Sequence, residues 1–126
     1  MKTKLGVLAA TLVCLAPPLA AHHGWTFEYD GAKPVMVKGT LTRLEWTNPH
    51  IHFYVDSTDD NGTVTSWNFE MASPLALQRH GWTRKTLPIG AQLTVGGFGG
   101  KAVTTRAVAN SIIMDGKQLF VGKLGD

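Results

Sequence analysis

Four of the five histidines in this 126-residue chain fall into two close pairs, and this spacing is the feature most able to support chemistry. His22 and His23 are adjacent, and His50 and His52 flank a single isoleucine. Imidazole nitrogens suit zinc, copper and nickel. The single cysteine, Cys14, lies in an apolar N-terminal stretch, so a metal bound by the rest of the chain would rely on nitrogen, oxygen or thioether donors.

The first histidine pair directly follows a segment with the pattern of a secretory signal peptide. Residues 1–21 combine a basic start, a short apolar run and a small-residue end. The apolar run is shorter than the roughly 20 residues that a membrane-spanning helix needs. We therefore predict export to the periplasm or secretion, with no membrane span in the mature protein.

The site of signal cleavage decides which nitrogen donors the mature terminus carries. Cleavage after Ala21 leaves His22 with a free amine, and the amine and ring together form a bidentate site suited to copper. Cleavage after Ala20 instead places His23 third from the amine, where a square-planar set of nitrogens binds copper or nickel. The alternative is that two histidines at a chain terminus have no role.

The second histidine pair lies on a predicted strand over residues 50–56, where apolar and polar side chains alternate. The apolar positions are Ile51, Phe53 and Val55, and the polar positions are His50, His52, Tyr54 and Asp56. Since side chains on a strand alternate between faces, the two imidazoles share a face and lie about 6.6 Å apart along it. Two rings at that spacing can bind one metal ion, although a solvated sheet face with a cross-strand charge pair would show the same pattern.

Two carboxylates are expected beside this histidine pair. A hairpin around the Asp-Asp-Asn-Gly turn places His52 opposite Glu70 and Tyr54 opposite Asn68, in one of the possible registers. Pairing across the Asn-Pro turn places Glu45 beside His52. We predict that Glu45 or Glu70 orients an imidazole as an outer partner of the metal site and does not bind the metal directly.

The remaining pattern predicts an all-β fold with one short helix. Ser73 caps a helix that begins with Pro74 and ends at Gly81, and the strands are predicted over residues 35–46, 50–56, 63–71, 92–97, 105–114 and 118–121. Three strands, a helix and further strands is the order of a small Greek-key barrel of the oligonucleotide/oligosaccharide-binding (OB) type. Residues 22–34 are expected to form an N-terminal arm and residues 35–126 the barrel. The alternative is an open β-sandwich.

Several motifs spread over almost the whole predicted mature chain are fairly specific. They are His22-His23-Gly24-Trp25, Trp46-Thr47-Asn48-Pro49-His50, Trp67-Asn68-Phe69-Glu70, Leu77-Gln78-Arg79-His80-Gly81-Trp82 and Asp115-Gly116-Lys117. In these motifs the chain resembles a family of small exported bacterial domains of unknown function. The resemblance implies an OB-like barrel and an envelope location, and it supplies no catalytic residues.

The residues favour a binding protein over an enzyme, with a copper oxidative centre on the terminal histidine as the enzymatic alternative. Twelve basic and nine acidic side chains are nearly balanced, and loss of Lys2 and Lys4 with the signal leaves ten of the twelve. We therefore expect no nucleic-acid partner, since that would need a clustered basic face. No serine lies in a context that would activate it as a nucleophile.

The leading hypothesis is an exported metal-binding protein, with copper as the expected ion, for carriage, buffering or resistance. The alternative is a barrel module that binds a small ligand, a glycan or an envelope protein without a metal. A third possibility is a structural envelope domain whose histidines are incidental. His80, at the predicted helix end, is expected to act as a cap, and Trp46 and Trp67 are expected to lie in the core.

Overall fold

A computed structural model describes residues 25–122, so the predicted signal peptide and the first histidine pair lie outside the described residues. Within residues 25–122, no helix is long and apolar enough to cross a membrane. The elements in chain order are α1 (Trp25–Glu28), β1 (Tyr29–Glu45), β2 (His52–Thr58), β3 (Val64–Glu70), α2 (Pro74–Arg79), β4 (Gln92–Gly100), β5 (Arg106–Met114) and β6 (Lys117–Val121).

The strands form one curved sheet whose ends meet. Its order is β3-β2-β1-β4-β5-β6, with antiparallel neighbours throughout. A parallel pairing of β3 with β5, in which Asn68 is opposite Arg106, closes the sheet into a barrel. The helix α2 lies between β3 and β4 in the chain, as in the predicted Greek-key order. The structure therefore confirms the OB-like barrel over the open sandwich.

The first strand starts six residues earlier than the sequence predicts. Tyr29 pairs with Gly100 and Pro34 pairs with Phe98, and the register is irregular between these two pairs. The Asp-Gly-Ala-Lys-Pro sequence has turn character, but pairing with the long strand β4 overrides that local preference. Residues 29–34, which the sequence assigned to the N-terminal arm, therefore belong to β1.

The helix α2 begins and ends as the sequence predicts. Ser73 Oγ accepts a hydrogen bond from the backbone N–H of Ala76 at 3.2 Å, and Pro74 occupies the first turn. Gly81 follows with a φ of +83°, a conformation that glycine adopts without strain. His80 is the C-cap residue, and its Nδ1 donates to the carbonyl of Ala76 at 2.8 Å, which explains its position without a metal.

The core is aromatic and follows the predicted alternation. Ile51, Phe53 and Val55 are buried, and the ring of Phe53 stacks on Phe69 with centroids 5.3 Å apart. Trp46 is also buried, as expected. Trp67 packs against the core while partly buried, and the rings of Trp82 and Phe120 meet edge-on with centroids 6.1 Å apart. The opposite face of β2 is thereby left to its polar side chains.

Candidate functional site

The outer face of β2 and β3 brings the second histidine pair together with polar side chains of β3. The register places His52 directly opposite Glu70, as predicted. His50 lies just before β2, but backbone hydrogen bonds from Ile51 to Ala72 and from Met71 to Ile51 extend the pairing past the strand end. Because alternate residues of an extended segment share a face, the two imidazoles lie on the same side of the sheet.

Each imidazole is held by a diagonal partner on β3. Nδ1 of His50 lies 2.7 Å from Oε1 of Glu70, and Nδ1 of His52 lies 2.9 Å from Oδ1 of Asn68. Both partners are two residues from the directly opposite position, a separation that long side chains can bridge. Glu70 thus holds the ring of His50 and not that of its directly opposite neighbour, His52.

These hydrogen bonds fix which ring nitrogen carries the proton. An ionised carboxylate and an amide oxygen only accept hydrogen bonds, so Nδ1 of each histidine donates. In the neutral ring the lone pair is then on Nε2. In the part of the chain that the structure describes, neither Nε2 makes a hydrogen bond. The His50 side chain is 46% exposed, so its free nitrogen is accessible to a ligand.

Two side chains outside the predicted site contact the other carboxylate oxygen of Glu70. The hydroxyl of Tyr29 donates a short hydrogen bond to Oε2, and Nη2 of Arg106 donates to the same oxygen at 3.1 Å. Nε of Arg106 also donates to the Tyr29 hydroxyl at 3.1 Å, and the guanidinium lies 5.6 Å from the centre of the tyrosine ring. The three side chains join β1, β3 and β5 where the barrel closes.

Burial and hydrogen bonding shift the proton affinities within this network. Burial raises the pKa of the Tyr29 hydroxyl, and the hydrogen bond to Glu70 and its charge raise it further. Burial alone would raise the pKa of Glu70, but the hydrogen bonds from Tyr29 and His50 and the charges of the two imidazoles outweigh it, so the pKa is lowered. Tyr29 is therefore a neutral donor and Glu70 an anionic acceptor at neutral pH.

Arg106 connects this network to the start of the described chain. Its Nη2 lies 3.1 Å from Oε2 of Glu28 as well as 3.1 Å from Oε2 of Glu70. Glu28 is the last residue of α1, which directly precedes Tyr29. One guanidinium therefore bridges the N-terminal helix and the carboxylate that holds His50.

Glu45 has a different role from the one expected. The register places it opposite His52, as predicted. Its carboxylate, however, forms an ion pair with Arg43 on the same strand, and the guanidinium of Arg43 lies 5.0 Å from the ring centre of Tyr54. Within residues 25–122 no hydrogen bond or ion pair joins Glu45 to either imidazole.

The described residues supply at most part of a metal site. Residues 25–122 contain no group of three or more histidine, cysteine, aspartate or glutamate side chains placed to hold a metal ion. His50 and His52 offer two nitrogen donors, and further donors would have to come from elsewhere. The predicted terminal donors, His22 and His23, lie outside the described residues.

Comparisons with known proteins give the family and the fold. A model of a family of unknown function, DUF6152, matches residues 9–109. No curated protein matches the chain. Two crystal structures of the mitochondrial single-stranded DNA binding protein Rim1 from S. cerevisiae are similar to the chain. One has 14% identity and a TM-score of 0.50 over 71% of this chain and 96% of that one. The other has 15% identity and a TM-score of 0.47 over 71% and 97%. The first likeness agrees with the OB fold derived from the strand order.

Proposed function

The chain belongs to the family of unknown function DUF6152, and since that membership assigns no activity, we propose from the site itself that the protein is an exported metal-binding protein. Copper is the proposed ion, and carriage, buffering or resistance in the bacterial envelope is the proposed role. Nε2 of His50 and Nε2 of His52 are the proposed barrel ligands.

The observation that carries this proposal is the anchoring of both rings through Nδ1. Glu70 and Asn68 each accept a hydrogen bond from one imidazole, which leaves both Nε2 lone pairs without a hydrogen-bond partner among the described residues. Histidine ligands in metal sites usually donate their second ring nitrogen to a carboxylate or carbonyl oxygen in this way. A sheet face whose histidines were merely solvated would not need two oriented rings.

The predicted mature terminus can supply the missing donors. Glu28 is tied to Arg106, which contacts the carboxylate that holds His50. His22 lies six positions before Glu28 in the sequence. We infer that the terminal amine and ring, which lie close to this anchor in the sequence, supply the further donors.

A set of amine and imidazole nitrogens favours copper among the common ions. Nitrogen-rich tetragonal sites select copper(II), which also has the highest affinity in the divalent series. Beyond the predicted signal peptide the chain contains no cysteine, so thiolate-based zinc or cluster chemistry has no ligands there. The proposed site is thus built from nitrogen donors on two separate segments.

Copper titration of protein purified from the periplasm with its natural terminus tests this proposal. Copper(II) is added against a competing chelator to the native protein, to the double variant His22→Ala/His23→Ala, and to the double variant His50→Ala/His52→Ala. We expect at least tenfold weaker binding in both altered proteins. His80→Ala is the matched control, because this ring caps α2, and it should bind as the native protein does. Equally weak binding by all four proteins would contradict the proposal.

A second candidate function rests on an open groove on a different part of the barrel. The groove has a volume of about 530 Å³ and is lined by Leu44, Trp46, Arg84, Lys85, Leu87, Pro88 and Ile89. Within the described residues, neither of its two cations forms an ion pair. An apolar floor with a basic rim fits a small apolar molecule that carries an anionic group.

Measuring the binding of a fatty acid tests the alternative that the barrel is a binding module for small molecules. Binding of a medium-chain fatty acid, followed by tryptophan fluorescence, should be lost in Arg84→Ala/Lys85→Ala and retained in His50→Ala/His52→Ala. No fluorescence change in the native protein would exclude the groove as a site for such molecules.

A further inference from the structure

We propose that Tyr29 and Arg106 are positioning residues of the imidazole site, which fix the Glu70 carboxylate so that it holds His50 with Nε2 available to a metal. This inference rests on the proposed function for its purpose, but its geometric content can be tested without any metal.

The two carboxylate oxygens of Glu70 have different hydrogen-bond partners. Among the described residues, Oε1 of Glu70 accepts only from His50, while Oε2 accepts from both Tyr29 and Arg106. Two donors on one oxygen define the plane and direction of the carboxylate. A carboxylate without them could rotate toward the ring directly opposite, since the register places His52 there.

The two donors to Glu70, Tyr29 and Arg106, are themselves held in place by their neighbours. The Tyr29 side chain is 2% exposed, and Nε of Arg106 donates to its hydroxyl at 3.1 Å. The phenol is therefore held by packing, and the guanidinium is held by the phenol and by Glu28. Outer partners that are fixed in this manner orient metal ligands and tune their basicity.

The stability of the barrel does not by itself require a tyrosine, an arginine and a glutamate at these three positions. The strands β3 and β5 already pair through backbone hydrogen bonds where the barrel closes. A partly buried cluster of charges is a weak source of stability, and apolar residues of similar volume often serve equally well. Tyr29 and Arg106 both contact Oε2 of Glu70, and the other carboxylate oxygen, Oε1, accepts from His50.

Nitrogen-15 NMR of the copper-free protein tests the inference directly. Long-range ¹H–¹⁵N correlation spectra at about pH 8, where an ordinary histidine with a pKa of about 6.5 is neutral, report which ring nitrogen carries the proton. We expect the Nδ1–H tautomer for His50 in the native protein and a mixture of tautomers in Tyr29→Phe and in Arg106→Gln. His52 and His80 should keep their tautomers in both variants, because other residues hold them.

Two controls separate positioning from general damage. Lys38→Gln removes an exposed cation elsewhere on the barrel and should leave the His50 tautomer unchanged. Tyr29→Phe removes a single oxygen and keeps the ring. The His50 tautomer can therefore still be measured in this variant if Arg106→Gln does not fold. An unchanged His50 tautomer in a folded Tyr29→Phe protein would overturn the inference.

Copper titration of the same variants distinguishes this inference from the proposed function. If both hold, Tyr29→Phe weakens copper binding by roughly 10–100-fold, the usual effect of losing an outer partner. If the native protein binds no copper but the tautomer changes as expected, the positioning role stands and the metal function fails. If copper binds and the tautomer does not respond, the metal function stands and the positioning role is wrong.

Discussion

Replacing Tyr29 by phenylalanine should destabilise the copper-free protein through the loss of one hydroxyl. The ring is buried and would keep its packing in phenylalanine. The hydroxyl donates to Glu70 and accepts from Arg106, so two hydrogen bonds to charged groups are lost together. The substitution therefore isolates the polar contribution of this residue to the closure of the barrel.

The expected magnitude follows from the partners that remain. A hydrogen bond to a charged group contributes about 1.5–3 kcal/mol. Glu70 keeps its contacts with Arg106 and His50 after the substitution, and Arg106 keeps its contact with Glu28. No charge is left without a partner, so the two losses should not add fully. We expect the free energy of unfolding to fall by about 1.5–3 kcal/mol.

Urea denaturation followed by tryptophan fluorescence measures this change, with the other tyrosine as the matched control. Tyr54 lies on the outer face, and within residues 25–122 the one hydrogen bond of its hydroxyl is a long one, accepted from Asn68 at 3.4 Å. Tyr54→Phe should therefore cost under about 0.5 kcal/mol. The reasoning would be refuted if the two substitutions had equal effects, because the Tyr29 hydroxyl would then contribute no more than the weakly bonded hydroxyl of Tyr54.

Loss of the Tyr29 hydroxyl should also change how the free energy of unfolding depends on pH. The pKa of Glu70 is lowered in the folded protein, in part by the hydrogen bond from Tyr29. A lowered folded-state pKa gives stability that is fully present above the unfolded value and is lost as the pH falls through the folded value. The stability gap between the native protein and Tyr29→Phe should therefore narrow in urea titrations below about pH 4, near the usual carboxylate range.

The remaining predictions concern the core, strand packing and processing. Phe53→Ala removes a fully buried ring and should cost about 3–5 kcal/mol in urea denaturation; a cost under 1 kcal/mol would contradict its core position. Gly97→Ala should cost about 1–3 kcal/mol, since a Cβ there would lie 1.9 Å from a backbone oxygen of β5, whereas Gly99→Ala would meet only atoms 3.6 Å away and should be nearly neutral. The intact mass of exported protein should correspond to a chain that begins at His22; an additional Ala21 would contradict the expected cleavage site.

The register of the site strands was predictable from sequence because two independent local signals agree. Alternating side chains fix which face of β2 is buried, and a slip by one residue would expose all its apolar residues. The turn that joins β2 to β3 is itself fixed, since Oδ1 of Asp59 accepts from the backbone N–H groups of Asn61 and Thr63 at 2.9 Å. With face and turn both determined, the pairing of His52 with Glu70 follows.

The supporting network was not predictable because its members come together only through barrel closure. Arg106 and Tyr29 are 77 residues apart in the chain, and no local pattern relates them. The sequence after Tyr29 has turn character, which conceals that this tyrosine begins a strand. The parallel pairing of β3 with β5 then brings Arg106 beside Glu70, and only the assembled sheet shows that contact.

The sequence also could not determine which imidazole Glu70 would hold. Register fixes backbone neighbours, and it places His52 opposite Glu70. The direction of the carboxylate depends on the donors around its second oxygen, which Tyr29 and Arg106 supply from other strands. With the carboxylate turned toward His50, the opposite imidazole takes Asn68 as its partner. The choice of partners at the candidate site is thus a consequence of tertiary contacts beneath it, and a change to those contacts should redistribute the hydrogen bonds of His50 without changing the strand register.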